Sequence, residues 1–265
     1  MSLKNKHMNT KYFSVGFILL MSMIIFSCGK NFLDEPPRTV TIEDLLSNPQ
    51  DGAQRLTAAV YSKLYDWDVH TFSWIGISSI TSDDADKGSI DGDAGTDKVL
   101  LDNWAFDANS ISFNEAWSGN FDGIGRVAYG LQFMEDINLP QSEKDRYIGE
   151  LKMLRAYFYW NLVRMYGGVP KIDRVLETKE DIALGSVRAS AAEIYAFIEA
   201  DCQEAIAKLP PVIPSEELGR VSKYTAYALL AKVYLYQKRW AESKSMCDAI
   251  INSNKFFLLA DYDKI

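Results

Sequence analysis

The sequence predicts an all-α protein, and three observations support that fold class. In residues 50–65 and again from residue 114 to residue 252, apolar side chains recur at the three- and four-residue spacing of helix faces. No stretch of any length shows the apolar–polar alternation of a β-strand. The helical segments also come in pairs joined by short connections, which is typical of stacked helical repeats.

The first 27 residues are predicted to be a lipoprotein signal peptide. Three lysines precede Tyr12–Phe26, a segment without any charge that is almost entirely apolar. It has roughly 14 apolar residues, fewer than the ~20 that a membrane-spanning helix needs. Ser27 directly precedes Cys28, so we expect cleavage before Cys28 and lipid attachment to its thiol. An ordinary secretory signal followed by an incidental cysteine is the alternative.

The rest of the chain is predicted to form a tether and one helical domain. Residues 28–44, which contain Pro36-Pro37, are expected to be an extended lipidated tether, and residues 45–265 the domain. Gln50–Tyr65 has helical spacing, whereas Asp66–Asp107 is rich in glycine and aspartate and is predicted to be a long loop. Further helices are predicted near residues 114–137, 142–166, 190–208, 222–237 and 240–252.

One helix pair fits the tetratricopeptide pattern well. Small residues at fixed positions let two antiparallel helices approach closely, while aromatic residues fill the space between neighbouring pairs. The positions that match this pattern are Tyr227, Leu230, Ala231, Tyr234, Trp240, Ser243 and Cys247.

A second segment has a related first-helix pattern. It contains Leu154, Ala156 and Tyr159 and is predicted to end at Gly167-Gly168. The segment Glu193–Pro210 is expected to pack back against it. The bulky aromatic residues of these helices are predicted to lie in the helix-packing core, among them Trp117, Trp160 and Trp240.

The composition argues against several function classes. The formal net charge of −8, which becomes more negative when the leader's lysines are removed, is unsuited to nucleic-acid binding. His70 is the only histidine after the leader, so there is no histidine pair for a catalytic zinc and little material for a Ser-His-Asp relay. Cys202 and Cys247 suit helix faces as small apolar residues, and a disulfide between them is the alternative in an exported protein.

The segment SDDADKGSIDGDAGTD, residues 82–97, is predicted to be a solvated loop. Its carboxylates are chemically able to bind calcium. Neither DADKGSIDG nor DGDAGTD has the D-x-[DN]-x-[DN]-G spacing of a calcium-binding loop, so no metal site is predicted. The aspartates concerned are Asp83, Asp84, Asp86, Asp91, Asp93 and Asp97.

Five segments of the chain occur in an order that characterises one known family. SCGKNFLDEPP is similar to its mature N-terminus, and FNEAWSGNFDGIGRVAYGLQFMEDI to its first conserved helix. ELKMLRAYFYWNLVRMYGGVPKI is similar to its most characteristic stretch. SAAEIYAFIEADCQEAIAKLP and GRVSKYTAYALLAKVYLYQKRWAESKSMCDAII complete the series. Together the five segments resemble the SusD/RagB family of nutrient-binding outer-membrane lipoproteins.

The resemblance implies a SusD-like scaffold of tetratricopeptide-type helix pairs with long irregular loops. Family members continue into a further, mostly irregular half, which is missing after FFLLADYDKI, so part of the binding surface is expected to be missing too. The implied protein is not an enzyme and has no cofactor. It is lipid-anchored at the outer surface of the outer membrane, binds a glycan or other nutrient, and delivers it to a SusC-like TonB-dependent transporter.

The candidate ligand-binding residues are Trp67, Trp74 and Trp104, which flank the acidic loop. Flat aromatic faces can stack on the C–H surfaces of sugar rings. The alternative is that these tryptophans form a satellite core over the first helices.

Two other function classes compete with nutrient binding. A tetratricopeptide-type adaptor at the outer membrane would bind proteins without binding sugar, and disorder of residues 66–107 would favour it. A glycoside hydrolase would need two carboxylates about 5–10 Å apart in a cleft, one of them with a raised pKa. Nothing in the sequence marks such a pair.

Overall fold

The computed structural model describes residues 42–264 except residues 89, 91 and 93–95. The chain divides into two units, Met1–Asp44 and Leu45–Ile265, and every helix after the first lies wholly within the second unit. The predicted signal peptide, Cys28 and nearly all of the tether lie outside the described residues, as do Asp91 and Asp93 of the acidic loop.

The predicted all-α class is confirmed. The two longest helices are α5 (Ile111–Asp136) and α6 (Gln141–Tyr166), with 26 residues each. The other helices are α1 (Ile42–Ser47), α2 (Pro49–Tyr61), α3 (Phe72–Ile75), α4 (Thr96–Asp102), α7 (Lys179–Gly185), α8 (Ala191–Lys208), α9 (Lys223–Tyr236) and α10 (Trp240–Ile251). Short 3₁₀ turns lie at Ser62–Tyr65, Ser215–Glu217 and Tyr262–Lys264.

Helix α6 is the centre of the helical domain because its middle turns are buried on nearly every side. Leu151 and Phe158 have no exposed surface, and α2, α5 and α8 pack around them. Ile194 and Cys202 of α8 belong to the same core. The predicted packing of Glu193–Pro210 against α6 is therefore confirmed.

An ion pair is buried between α6 and α8. The guanidinium of Arg155 donates to both carboxylate oxygens of Asp201, over 2.7 and 2.8 Å, and each side chain is only 2% exposed. Arg155 also donates to the carbonyl oxygen of Asp173 and lies over the ring of Phe197. These contacts satisfy most of the polar atoms that burial removes from water.

The terminal pair α9–α10 has the predicted small-residue contact. The Oγ of Ser243 donates to the carbonyl oxygen of Ala231 over 2.9 Å, and both residues are buried. Trp240, however, was predicted to lie in the core, and this is wrong because its side chain is 60% exposed. Among the described elements α10 packs mainly on α9, so its opposite face, which carries Trp240, meets solvent.

Cys202 and Cys247 are unpaired, as the helix-face interpretation predicted. Cys202 is fully buried in α8, and burial raises the pKa of its thiol. Cys247 is exposed on α10. Within the part of the chain that the structure describes, no helix is both long and apolar enough to cross a membrane.

The segment Asp66–Asp107, predicted to be a loop, is irregular only in part. It contains α3, a π-helical turn at Gly76–Ile80 and α4, so the prediction is wrong for those residues. Tertiary contacts outweigh the loop-like composition there, because Ser73 donates to Glu115 of α5 and Lys98 donates to Ser112. The described residues between Thr81 and Ser89 form turns and irregular chain.

Two glycines of α5 give a test of this packing. A Cβ on Gly123 would lie 2.6 Å from the ring of the buried Phe158, so we expect Gly123→Ala to lower the free energy of unfolding by about 1–3 kcal/mol. A Cβ on Gly125 would meet no atom within 4 Å, and Gly125→Ala should raise stability by up to about 1 kcal/mol. Urea unfolding followed by circular dichroism measures both, and shifts of the same sign would contradict the close approach.

The C-terminus of α6 is fixed by two glycines, as predicted. Gly167 has a φ of 70°, a left-handed conformation that side chains disfavour. A Cβ on Gly168 would lie 2.1 Å from the carbonyl oxygen of Ala189, so the chain leaves the helix in close contact with the segment before α8. This ending holds Tyr166 in place at the last turn of α6.

Candidate functional site

A small cavity with aromatic walls lies between the start of α5 and the end of α6. Its volume is about 260 Å³, and we call it the aromatic cavity. It is lined by Ala108, Phe113, Asn114, Trp117 and Tyr166.

The turn before α5 aims two of these rings at the cavity. The carboxylate of Asp107 accepts the backbone N–H of Asn109 over 2.8 Å, and the Oγ of Ser110 accepts that of Asp107. This turn starts the helix at Ile111. Phe113 and Trp117 are four residues apart and therefore share one helix face.

Tyr166 closes the cavity from the side of α6. Its ring meets that of Trp117 edge-on, with 5.1 Å between the ring centroids. Its hydroxyl donates to the carbonyl oxygen of Phe113 over 2.6 Å, which ties the two helices together. Burial raises the pKa of Tyr166 to about 12, so the phenol stays neutral at physiological pH.

The cavity offers the chemistry that a sugar ring requires. Three aromatic rings supply apolar faces, and Asn114 is exposed and supplies an amide donor and acceptor. The aromatic surface continues outward through Phe106, whose ring lies 5.5 Å from Phe113, to Trp104, 5.9 Å further on. Trp104 is 69% exposed, so most of its ring is open to solvent, two ring contacts away from the cavity residue Phe113.

Trp67 lies in a different aromatic cluster. Its ring is 4.4 Å from that of Phe72, whose other contact is the ammonium of Lys98 at 4.0 Å. Lys98 is buried and binds Asp97 and Ser112, which fastens α4 to α5. This cluster joins the short helices of the 66–107 segment to the domain, although Trp67 itself is 55% exposed.

Trp74 is half-buried over the last turns of α6. The guanidinium of Arg164 lies 5.2 Å from its ring and 4.7 Å from the ring of Trp160, which is buried as predicted. His70 meets Trp74 edge-on, and its Nε2 lies 2.8 Å from the hydroxyl of Tyr157. We call these five residues the Trp74 cluster.

The three predicted tryptophans thus lie in three separate clusters. Among the described residues no ring contact joins any two of them, and only Trp104 leads to the aromatic cavity. Sequence reasoning missed Tyr166 and assigned Trp117 wholly to the core. Trp117 does pack against the core, but it is half-buried and also lines the cavity.

Three larger cavities have less suitable walls. Two adjoining ones, of about 370 and 530 Å³, share Leu131, Glu135 and Asp173 and have no aromatic ring in their walls. A third, of about 490 Å³, has two aromatic residues in its wall, Tyr61 and Tyr65, beside the charged side chains of Glu216, Glu217 and Arg220. The smaller aromatic cavity is the better candidate for a sugar because its wall has three aromatic rings and no charged side chain.

Two carboxyls of the described chain have a raised pKa, the feature that a glycosidase acid requires. Burial raises the pKa of Glu150, but Glu150 is only 1% exposed and accepts a hydrogen bond from Arg220 over 2.8 Å. Burial also raises the pKa of Asp68. Neither carboxyl lines the aromatic cavity.

The described part of the acidic loop contains no cation site. Asp83 and Asp84 are exposed, and Asp102 binds the backbone N–H of Lys87, which ties the loop to α4. Within the described residues no group of three or more His, Cys, Asp or Glu side chains is placed to hold a metal ion.

Comparisons with known proteins agree with this fold. Residues 32–235 match the model of the SusD-like family described as starch-binding and associating with the outer membrane. A SusD-like protein of Formosa agariphila is 25% identical over 260 residues, 92% of this chain and 47% of the relative. The chain thus spans about half the length of that relative.

Solved structures show the same similarity. A laminarin-binding SusD-like protein is 30% identical, with a TM-score of 0.67 over 75% of this chain and 42% of the other. A SusD-like carbohydrate-binding protein from Bacteroides fragilis, 22% identical, shares the fold with a TM-score of 0.70 over 82% of this chain and 43% of the other. Because the family model matches most of its length, the chain belongs to the SusD-like family.

Proposed function

We propose that the protein binds a glycan in the aromatic cavity, without catalysing a reaction on it. The observation that carries this proposal is the convergence of Phe113, Trp117 and Tyr166 around a volume the size of one or two sugar rings, with the free amide of Asn114 beside them. Trp104 extends the surface so that a further sugar unit can stack. The similarity to a laminarin-binding relative makes laminarin oligosaccharides the first ligands to examine.

The same proposal includes the cell surface as the place of action. The family is described as associating with the outer membrane. A leader that ends directly before Cys28 supplies the means, because lipid on that cysteine would hold the protein at the membrane. Delivery of the glycan to a SusC-like TonB-dependent transporter follows from the family resemblance.

The contacts of the 66–107 segment favour glycan binding over a purely protein-binding adaptor. The adaptor hypothesis expects that segment to be disordered. Its described residues are instead attached to α5, through Ser73 to Glu115 and through Asp97 to the backbone N–H of Ser112. These contacts can hold the described part of the segment, including Trp104, in position.

The proposal predicts which side chains affect sugar affinity. In the full gene product, Trp104→Ala and Asn114→Ala should each lower the affinity for a laminarin hexasaccharide by about three- to tenfold, since each removes one stacking or hydrogen-bonding contact. Both residues are exposed, so the fold should be unaffected. Isothermal titration calorimetry measures the affinity.

Trp240 provides a matched control, because it is also an exposed tryptophan but lies on α10. Trp240→Ala should leave the affinity unchanged within about twofold. Equal losses in Trp104→Ala and Trp240→Ala would contradict the proposed site. Absence of binding to any laminarin or starch oligosaccharide by the unmodified protein would count against that glycan class.

A further inference from the structure

Arg164 differs from most arginines of this acidic protein because no carboxylate of the described residues pairs with it. Among the described arginines only Arg164 and Arg188 have no carboxylate oxygen within 4.0 Å. The others pair as Arg55–Asp51, Arg126–Asp122, Arg146–Glu217, Arg155–Asp201, Arg174–Asp181, Arg220–Glu150 and Arg239–Glu199.

The position of the Arg164 guanidinium is fixed by its neighbours. It lies near the rings of Trp74 and Trp160. Its Nε donates to the carbonyl oxygen of Trp160 over 3.2 Å, and its Nη2 donates to the Oδ1 of Asn161 over 2.8 Å. Asn161 is held in turn by Asn120 of α5. The guanidinium is thus preorganised and needs little ordering to bind a ligand.

Several hydrogen-bond donors of Arg164 have no acceptor among the described residues. A guanidinium carries five N–H groups, and the contacts to Trp160 and Asn161 use two of them. No described residue accepts a hydrogen bond from Nη1, and the side chain of Arg164 is only half-buried. A planar pair of N–H groups matches a carboxylate or a sulfate ester, which can accept two parallel hydrogen bonds.

Three titratable groups near Arg164 carry no charge near pH 7. Burial, followed by the charge of Arg164, lowers the pKa of His70, so the imidazole is neutral near pH 7. Tyr157 and Tyr195 also lie within the field of Arg164, and burial raises the pKa of both phenols. Hydroxyl and imidazole groups can bond sugar hydroxyls, but they do not replace an anion.

We propose that Arg164 and Trp74 form a subsite for a negatively charged sugar unit, one that carries a carboxylate or a sulfate ester. The Trp74 ring stacks on the sugar, and the free N–H groups of Arg164 bind the anion. This inference rests on the proposed glycan-binding function and names the ligand class. Arg188, the other unpaired arginine, donates to the carbonyl oxygens of Tyr166 and Gly168 and adds positive charge at the same end of α6.

The subsite and the aromatic cavity both use residues of α5 and of the last turns of α6. Asn161, which binds Arg164, contacts α5 at Asn120, and Tyr166, which lines the cavity, contacts α5 at Trp117, one turn earlier.

The test uses the full gene product and three probes. These are an oligogalacturonate, a sulfated carrageenan oligosaccharide and the neutral laminarin hexasaccharide. Of the two charged probes, we follow the one that the unmodified protein binds. Arg164→Gln should lower the affinity for this probe by about tenfold or more. The affinity for the neutral probe should stay within about twofold of its original value. Arg55→Gln removes the same charge from an exposed pair on α2 and should change neither affinity. The two charged probes distinguish carboxylate from sulfate recognition.

A second variant covers the case in which Arg164→Gln fails to fold. Arg164→Lys keeps the charge but loses the planar pair of donors, so it should lower the affinity for the charged probe by about three- to tenfold. Equal loss for charged and neutral probes would show a structural role and overturn the subsite. Binding of the neutral probe alone by the unmodified protein would overturn the subsite and leave the proposed function intact, whereas binding of no probe would overturn both.

Discussion

Replacing Asp201 with alanine is expected to lower the free energy of unfolding by about 3–5 kcal/mol. The variant leaves the guanidinium of Arg155 buried beside Phe197 with no carboxylate, and an uncompensated charge in the core is strongly unfavourable. Lys152, which lies 3.4 Å from Asp201, would lose one of its two carboxylate partners as well. Urea unfolding followed by far-UV circular dichroism measures the loss.

Two controls separate the effect of burial from that of charge. Arg55→Ala breaks an exposed pair on α2 and should cost no more than about 0.5 kcal/mol. The double variant Arg155→Met with Asp201→Leu removes both charges and should recover most of the stability that Asp201→Ala loses. A double variant as unstable as the single one would contradict this account of the pair.

The helices of this protein were largely predictable because their signals are local. α6 was predicted at residues 142–166 and spans Gln141–Tyr166, since a run of apolar residues leads up to Gly167 and Gly168. α8 starts after Ser190, whose side chain and that of Glu193 form a reciprocal capping box. Such signals lie within a few residues of the boundary that they set.

Contacts between distant residues were not predictable from the same signals. Arg155 and Asp201 are 46 residues apart, and in the sequence they look like any other charges on amphipathic helices. The short helices of the 66–107 segment depend on partners in α5, which the segment's own composition does not indicate. Trp240 was assigned to the core because the repeat pattern identifies a position without showing whether another helix covers it.

The candidate site was predictable only at its edge. Trp104 was recognised because an aromatic residue beside a glycine- and aspartate-rich segment stands out from its surroundings. Trp117 and Tyr166 follow helical spacing and looked like ordinary core residues. Both are half-buried, so one face of each ring packs inward while another lines the cavity. Arg164 likewise needed the structure, because its place between the rings of Trp74 and Trp160, with no described carboxylate in ion-pair distance, is not visible in the sequence.

Replacing Cys28 with alanine is expected to abolish lipid attachment completely and to release the protein from the outer-membrane fraction. The alanine side chain has no thiol to accept diacylglycerol. Each buried CH₂ of an acyl chain contributes about 0.8 kcal/mol to membrane binding, so the loss of the chains removes the anchoring energy. Labelling cells with palmitate and fractionating their membranes measures both effects.

The other two cysteines make the Cys28 experiment specific. Cys247 is exposed on α10, so Cys247→Ala tests whether another accessible thiol carries the label. Cys202 is buried in α8, so Cys202→Ala shows the effect of removing a cysteine that lipid cannot reach. Both variants should retain the full palmitate label if Cys28 alone carries the lipid. If the label persists in Cys28→Ala and disappears in Cys247→Ala, the lipid is attached to Cys247 and not to Cys28. The leader would then be an ordinary secretory signal, and the proposal of a lipid anchor at the N-terminus would be wrong.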